Sequence, residues 1–423
     1  MTALLFVVFA VTLLLGIPVA FSIMLSAMAV LLAGDISLGM VAQRMFYSVN
    51  SFPLVAVPFF ILAGDLLANG AISKYLVEFA ESFLGMIKGG LSIVSVVVAM
   101  FFAAISGSGA ATTAAVGATL IPQLKERGYD EDQSAALIAA AGTIGVVIPP
   151  SVPMVLYAVA AGNGVTVNKL FTNGFVPGFM MGGILIAIAL VQAYKRNYPK
   201  GGAFSVKRFV ISLLKAVPGI IMPAIILGGI FSGKFTATEA AAVAVVYAML
   251  VSFFVYRDMT VAKLYNIMKG SAKTSAVIMI IIACSGPFGW VLANYSIPDA
   301  IANAVLSIST NKYILMTLIA AIIIVAGVFM ETSSAIIILT PVFLPLVQGL
   351  GIDLIHFGIL FVVGIAIGMI TPPVAINLFV ASSITGKPIE LIAKAVVPYL
   401  VGLLIVFLMI VYVPMMFPAL IIK

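Results

Sequence analysis

Long apolar runs follow one another from Met1 to Ile422, separated only by short polar stretches. A membrane span takes about 20 residues, so the chain accommodates roughly ten crossings with little left for loops. The pattern predicts an all-α polytopic membrane protein with no room for a soluble domain of ordinary size. The first run, Thr2 to Ala33, is interrupted at Gly16-Ile17-Pro18 and reads either as one tilted helix or as two short ones. No basic stretch precedes it and no clear small-residue cleavage site follows, which marks a retained anchor rather than a removed signal.

Four interruptions carry the chemistry. Ser106-Gly107-Ser108-Gly109-Ala110-Ala111-Thr112-Thr113 lies between the apolar runs Leu91 to Ile105 and Ala114 to Pro122. At about 1.5 Å per residue each run is too short for a core about 30 Å thick. The pair predicts a re-entrant hairpin with its glycine-bearing tip at the midplane, where lipid cannot satisfy free backbone groups and a wet or protein-lined cavity must. Free carbonyls and hydroxyls there suit a small alkali cation; a flexible turn or a close helix contact is the plainer reading. A second tip, Met330-Glu331-Thr332-Ser333-Ser334, lies between Ile314 to Phe329 and Ala335 to Leu346. A carboxylate deep in an apolar region costs about 2.5–3.5 kcal/mol, so Glu331 is a functional candidate that could neutralise a cation, carry a proton or cap the following helix.

Two proline-rich breaks complete the set. Gly142 to Pro153 holds Pro149, Pro150 and Pro153, and Gly368 to Asn377 holds Pro372 and Pro373. Each proline removes a backbone donor and frees carbonyls upstream, which predicts two broken helices. The breaks belong to a repeat. An offset of 223 residues places Pro122 on Pro345, Gly128 on Gly351, Asp130 on Asp353, Gly145 on Gly368 and Pro149-Pro150 on Pro372-Pro373, and an offset of 225 places Gly64 on Gly289.

Charge orients the halves. The chain of 423 residues is 63% hydrophobic and 8% charged, against roughly 25% charged in a soluble domain. Lys195, Arg196, Lys200, Lys207, Arg208 and Lys215 form one basic stretch, and Arg257, Lys263, Lys269 and Lys273 another. Both should be cytoplasmic, with a turn at Ser232-Gly233-Lys234 on the far side. Lys312 is the one basic residue between Thr274 and Gly386, whereas the equivalent first-half loop carries Lys125 and Arg127, so the halves read as inverted repeats, an architecture of secondary transporters. The net charge of +7 therefore implies orientation, not a nucleic-acid partner. One cysteine, Cys284, and one histidine, His356, leave no disulfide framework and no His/Cys metal cluster, and no clustered acid, base or metal site points to an enzyme.

The sequence resembles the large membrane subunit of the tripartite ATP-independent periplasmic (TRAP) transporters, within the wider ion-transporter superfamily of elevator carriers. The resemblance rests on Ser51-Phe52-Pro53 with Pro58 to Gly64, the Ser106 to Thr113 tip, Ile148-Pro149-Pro150-Ser151, Thr238-Glu239-Ala240-Ala241-Ala242, Glu331-Thr332-Ser333, and Ile370 to Asn377. It covers essentially the whole chain. It implies a bacterial inner-membrane importer of an organic acid, sialic acid or a C4-dicarboxylate, coupled to two or more sodium ions, with a small four-helix membrane subunit and a periplasmic binding protein as partners. One sodium would be held by Ser106, Ser108, Gly145, Ile148 and Pro150, and another by Thr332, Ser333, Gly368, Thr371 and Pro373. Thr112, Ser151, Glu331 and Asn377 are the substrate candidates. Glu239 reads more simply as a capping acid. The alternative is a stand-alone sodium/proton exchanger or anion carrier of the same superfamily.

The chain then divides into scaffold spans and an interfacial arm (1–88), hairpin 1 and broken helix 1 (89–165), scaffold spans and a second arm (166–312), hairpin 2 and broken helix 2 (313–386), and a closing arm and span (387–423). The arms are Ala71 to Lys88 and Asp299 to Lys312.

Overall fold

A computed structural model describes residues 1–162, 164–308 and 311–416; positions 163, 309–310 and 417–423 of the ranges above lie outside it. The helices run α1 (Thr2–Leu14), α2 (Val19–Ala33), α3 (Gly39–Val49), α4 (Ala56–Ala68), α5 (Ile72–Leu84), α6 (Gly90–Ser106), α7 (Gly109–Glu126), α8 (Glu131–Gly142), α9 (Val152–Ala161) and α10 (Val167–Lys195). They continue as α11 (Val206–Phe231), α12 (Ala237–Leu250), α13 (Val261–Asn294), α14 (Ile297–Ile308), α15 (Lys312–Phe329), α16 (Thr332–Gly349), α17 (Leu354–Gly368), α18 (Ile376–Thr385) and α19 (Ile389–Met416). Among the described residues the only β pairing is an isolated bridge between Lys88 and Lys200.

Seven of the described helices are long and apolar enough to cross a membrane, and α3 with the Phe52–Ala68 segment, bent by 67°, makes an eighth if the two form one span. The first apolar run is two short helices packed side by side, because Gly16, at φ +80°, and Pro18 end one helix and start the next. The arms of the second hairpin, α15 and α16, are 18 residues each, longer than the apolar runs suggest. Both are therefore long and apolar enough to be full spans.

The repeat is visible in the backbone. Gly128 and Gly351 both take positive φ, and each turn closes with the same bonds: the Tyr129 amide to the Leu124 carbonyl and the Ile352 amide to the Val347 carbonyl, both near 3 Å. Asp130 then caps α8 through the Gln133 amide, and Asp353 caps α17 through the Ile355 and His356 amides. Both Pro149-Pro150 and Pro372-Pro373 are cis. The halves are interlocked, since α9 of the first packs on α16 of the second while α18 packs on α7 and α8. The Tyr157 hydroxyl ties this seam by donating to the Leu354 carbonyl at 2.8 Å.

Around this body lie α2 to α5 and α11 to α13, with α4 packed between α12 and α13. Hairpin 1 and its following turn meet them at a charged rim. Arg127 pairs with Glu81 of α5 at 2.7 Å, Arg196 with Asp130 at 2.7 Å, and Lys387 reaches Glu131 and Asp132 at 3.9 Å. The turn after α11 lies at the opposite end, where Thr236 and Glu239 form a reciprocal capping box, as the capping reading of Glu239 expects. Cys284 and His356 are packed in the core, His356 against the Ile410 carbonyl.

Candidate functional site

The first tip folds back on itself at Gly107, whose φ of +61° favours glycine. Ser108 follows in extended conformation and caps α7 through the Ala111 amide. Ser106 Oγ lies 2.9 Å from Thr112 Oγ1, and Thr112 Oγ1 donates to the Ser108 carbonyl at 2.8 Å. The first break closes over this cluster. A Cβ on Gly107 would stand 2.8 Å from the Pro150 carbonyl oxygen, and one on Gly145 would stand 2.5 Å from Thr112 Oγ1 and 2.6 Å from the Ser108 carbonyl oxygen. Ser106, Ser108, Thr112, Gly145 and Pro150 thus meet around oxygens, the donor set a sodium ion takes. The side chain of Ile148 packs against Gly178 of α10, so only its carbonyl could serve the site. Ser151 is buried and caps α9, its hydroxyl donating to the Val146 carbonyl at 2.6 Å.

In the second tip, Glu331 is the N-cap of α16. Its carboxylate accepts from the Ser333 and Ser334 amides at 2.9 and 3.2 Å and from the Ser333 hydroxyl at 3.1 Å. Thr332 Oγ1 lies 3.6 Å from Met369 Sδ. Gly368 sits against the Gly327 backbone of α15, and Thr371 donates to the Ile367 carbonyl at 2.9 Å. Pro372, Pro373 and Val374 are exposed, whereas Pro149, Pro150 and Ser151 are buried, so the two breaks are not equally covered. Asn377 is fully buried; its Nδ2 donates to the Ala139 carbonyl at 3.1 Å, while Oδ1 has no hydrogen-bond partner. It stands between α18 and α8.

Both tips open on one cavity of about 310 Å³, lined by Ser106 to Ala111 on one side and by Glu331, Thr332 and Ser333 on the other, with Val146, Pro153, Met369 and Ile376 from the breaks. Its remaining wall is Ile61, Gly64 and Asp65 of α4 with Thr274 and Ile278 of α13. A Cβ on Gly64 would stand 2.8 Å from Ser106 Cα, so α4 touches the first tip directly. A second cavity of about 440 Å³ follows along α13 and α16, lined by Asn50, Ser51, Ser285, Gly289, Ile337 and Pro341. Asp65 is the residue that sequence reasoning missed. Its Oδ2 accepts from the Ser271 hydroxyl at 2.5 Å. The signal was a lone acid inside the apolar run Pro53 to Ala68, the same signal that marks Glu331.

The comparisons with known proteins concern the family and the fold. Residues 6–416 match the family model of the tripartite ATP-independent periplasmic transporter, DctM component. The chain belongs to that family. This permease is 41% identical over 97% of its length to the isethionate TRAP transporter permease protein DctMQ of Oleidesulfovibrio alaskensis, and spans 65% of that protein's length. It is 40% identical to the C4-dicarboxylate large permease protein DctM of Pseudomonas aeruginosa, over 92% of this chain and 90% of that one. The sialic acid large permease protein SiaM of Vibrio cholerae is 34% identical over 92% and 91%. Among solved structures, the Alcanivorax borkumensis YdaH transporter superposes with a TM-score of 0.64 over 88% of each chain at 16% identity, and Neisseria gonorrhoeae MtrF with 0.63 over 90% and 85% at 13%. These two likenesses concern the fold alone. With its apolar spans, the permease is a multi-pass inner-membrane protein and not an enzyme.

The capping role of Glu331 is separately testable. Glu331→Ala should lower thermal stability by about 1 kcal/mol, the usual worth of an N-cap, while Glu331→Gln should lower it less because its amide oxygen still accepts. Unfolding curves of both purified variants against the parent check this.

Proposed function

We propose that this permease carries a small organic anion inward with two or more sodium ions, its hairpins and broken helices moving as one body against α4 and α13 in an elevator-type motion. The supporting observation is the single cavity in which both tips, both breaks and the scaffold meet. Ser106, Ser108, Thr112, Gly145 and Pro150 surround the first sodium. Thr332 and Ser333 serve the second with Gly368, Thr371 and Pro373. Glu331 sits at the cavity wall, where its capped carboxylate fixes the second tip for the substrate. Asn377, with an unpartnered acceptor inside the body, acts from behind the cavity wall, and Ser151 acts by holding the start of α9.

Relatives named for isethionate and C4-dicarboxylates exceed the sialic acid relative in identity, which favours a short dicarboxylate or sulfonate over a sialic acid. A periplasmic binding protein would deliver it, and a small membrane subunit would complete the scaffold. Uptake into proteoliposomes holding the full complex should rise with sodium with a Hill coefficient above one and collapse without a sodium gradient. Full uptake on a proton gradient alone would refute the coupling.

A further inference from the structure

The start of α11, with Glu78 of the amphipathic helix α5, lines an open surface groove of about 470 Å³ on the rim that carries the basic stretch. Its wall presents Lys207, Arg208 and Lys215 with the hydroxyls of Ser205 and Ser212, against one acid, Glu78. Neutralisation is incomplete. Lys215 reaches Glu78 only at 3.9 Å, and Arg208 reaches Glu81 at 3.4 Å while Arg127 holds that same carboxylate at 2.7 Å. Among the described residues Lys207 has no ion pair. Ser205 is the N-cap of α11 and its hydroxyl accepts from the Arg208 amide, which leaves the Val206 and Lys207 amides without an acceptor within the helix and favouring an anion.

Two further features show which anion fits. Val206, Val210 and Leu214 of α11 are exposed along the same helix, an apolar strip beside the cations. The rim also carries a phenylalanine cluster, Phe79, Phe83, Phe204 and Phe209, with ring centroids 5.2 to 6.0 Å apart, which adds apolar surface beside the cations. A cationic cradle beside an apolar strip, on the rim that the positive-inside bias assigns to the cytoplasm, matches an amphiphilic anion rather than a soluble one. We infer that this groove binds the phosphate of an anionic phospholipid of the inner leaflet, with an acyl chain along Val210 and Leu214. The site is separate from the transport cavity and does not rest on its reading.

The test uses the complete complex in nanodiscs of phosphatidylethanolamine with and without phosphatidylglycerol, read by native mass spectrometry of retained lipid and by thermal unfolding. The parent should retain phosphatidylglycerol selectively and unfold at higher temperature in its presence. Lys207→Gln with Lys215→Gln should weaken that retention roughly tenfold to thirtyfold, while Lys234→Gln on the opposite rim should leave it unchanged. Equal retention by parent and double variant would overturn the assignment. Inorganic phosphate giving the same stabilisation as phosphatidylglycerol would overturn it too, by assigning the groove to soluble anions, as would full selectivity loss on removing the small subunit alone.

Discussion

Gly145→Ala is expected to abolish sodium-driven uptake while leaving a folded, membrane-inserted protein. The new methyl group would stand 2.5 Å from Thr112 Oγ1 and 2.6 Å from the Ser108 carbonyl oxygen, inside van der Waals contact with both. Neither atom is free to yield. Thr112 Oγ1 donates to that carbonyl at 2.8 Å and lies 2.9 Å from Ser106 Oγ, so displacing one displaces the whole first tip. Overpacking of a filled site costs about 1–3 kcal/mol, which a protein of this size survives, but the same shift opens the oxygen cluster that would hold sodium. Gly107→Ala should act alike and cost stability as well, because its methyl meets the Pro150 carbonyl at 2.8 Å and φ there is +61°, a conformation costing an L-residue about 1–2 kcal/mol. Gly183→Ala in α10, with nothing within 4 Å of its added carbon, is the neutral control. Sodium titration of uptake, beside size-exclusion profiles, checks all three. A parental sodium curve for Gly145→Ala would remove the first tip from the coupling mechanism.

These glycines also show why part of the site could be read in advance. Ser106 to Thr113 and the two Pro-Pro breaks interrupt apolar runs, and interruption is a local signal that survives without tertiary information. The 223-residue offset extends it, and the matched turns at Gly128 and Gly351 follow the register it sets. What the offset does not carry is how tightly each break is covered. Pro150 and Pro373 correspond, yet the first is buried and the second exposed. The tips differ too: Gly107, lacking a side chain, lets the backbone press against Pro150, whereas the second tip turns through Met330 and Glu331 in extended conformations. The interlocking of α9 with α16 and of α18 with α7 was not legible either, because it sets apolar surface against apolar surface and any register of such runs would satisfy the hydrophobic pattern. Helix α4 hid its part in the site for the opposite reason. One acid among apolar residues is a strong signal, but Asp65 lies outside the interrupted segments that draw the eye, and only the fold brings it to them.

Asp65 supports the remaining large effect: Asp65→Asn is expected to loosen the coupling between sodium and substrate. Its carboxylate lines the same cavity as Glu331 but belongs to α4, outside the hairpins and breaks. Glu331 is held by the Ser333 and Ser334 amides, whereas among the described residues the Asp65 carboxylate takes one hydrogen bond, from Ser271. An ionised Asp65 would present an organic anion entering alone with a negative charge that no cation offsets. Two unit charges about 6 Å apart at an effective dielectric of about 20 repel by about 3 kcal/mol, enough to hold the bare anion out by roughly a hundredfold. In the proposed mechanism sodium at the tips would offset that repulsion, and Asp65 would make binding conditional on the ions. Neutralising it should raise uptake at low sodium about tenfold or more and lower the accumulation ratio reached at a fixed gradient. Ser271→Ala separates this from a structural role, since it breaks the link between α4 and α13 while keeping the charge. It should preserve the parental sodium curve at some cost in thermal stability. Should Ser271→Ala reproduce the loosened coupling, or Asp65→Asn leave the sodium curve and accumulation ratio unchanged, the charge of Asp65 does not gate the anion.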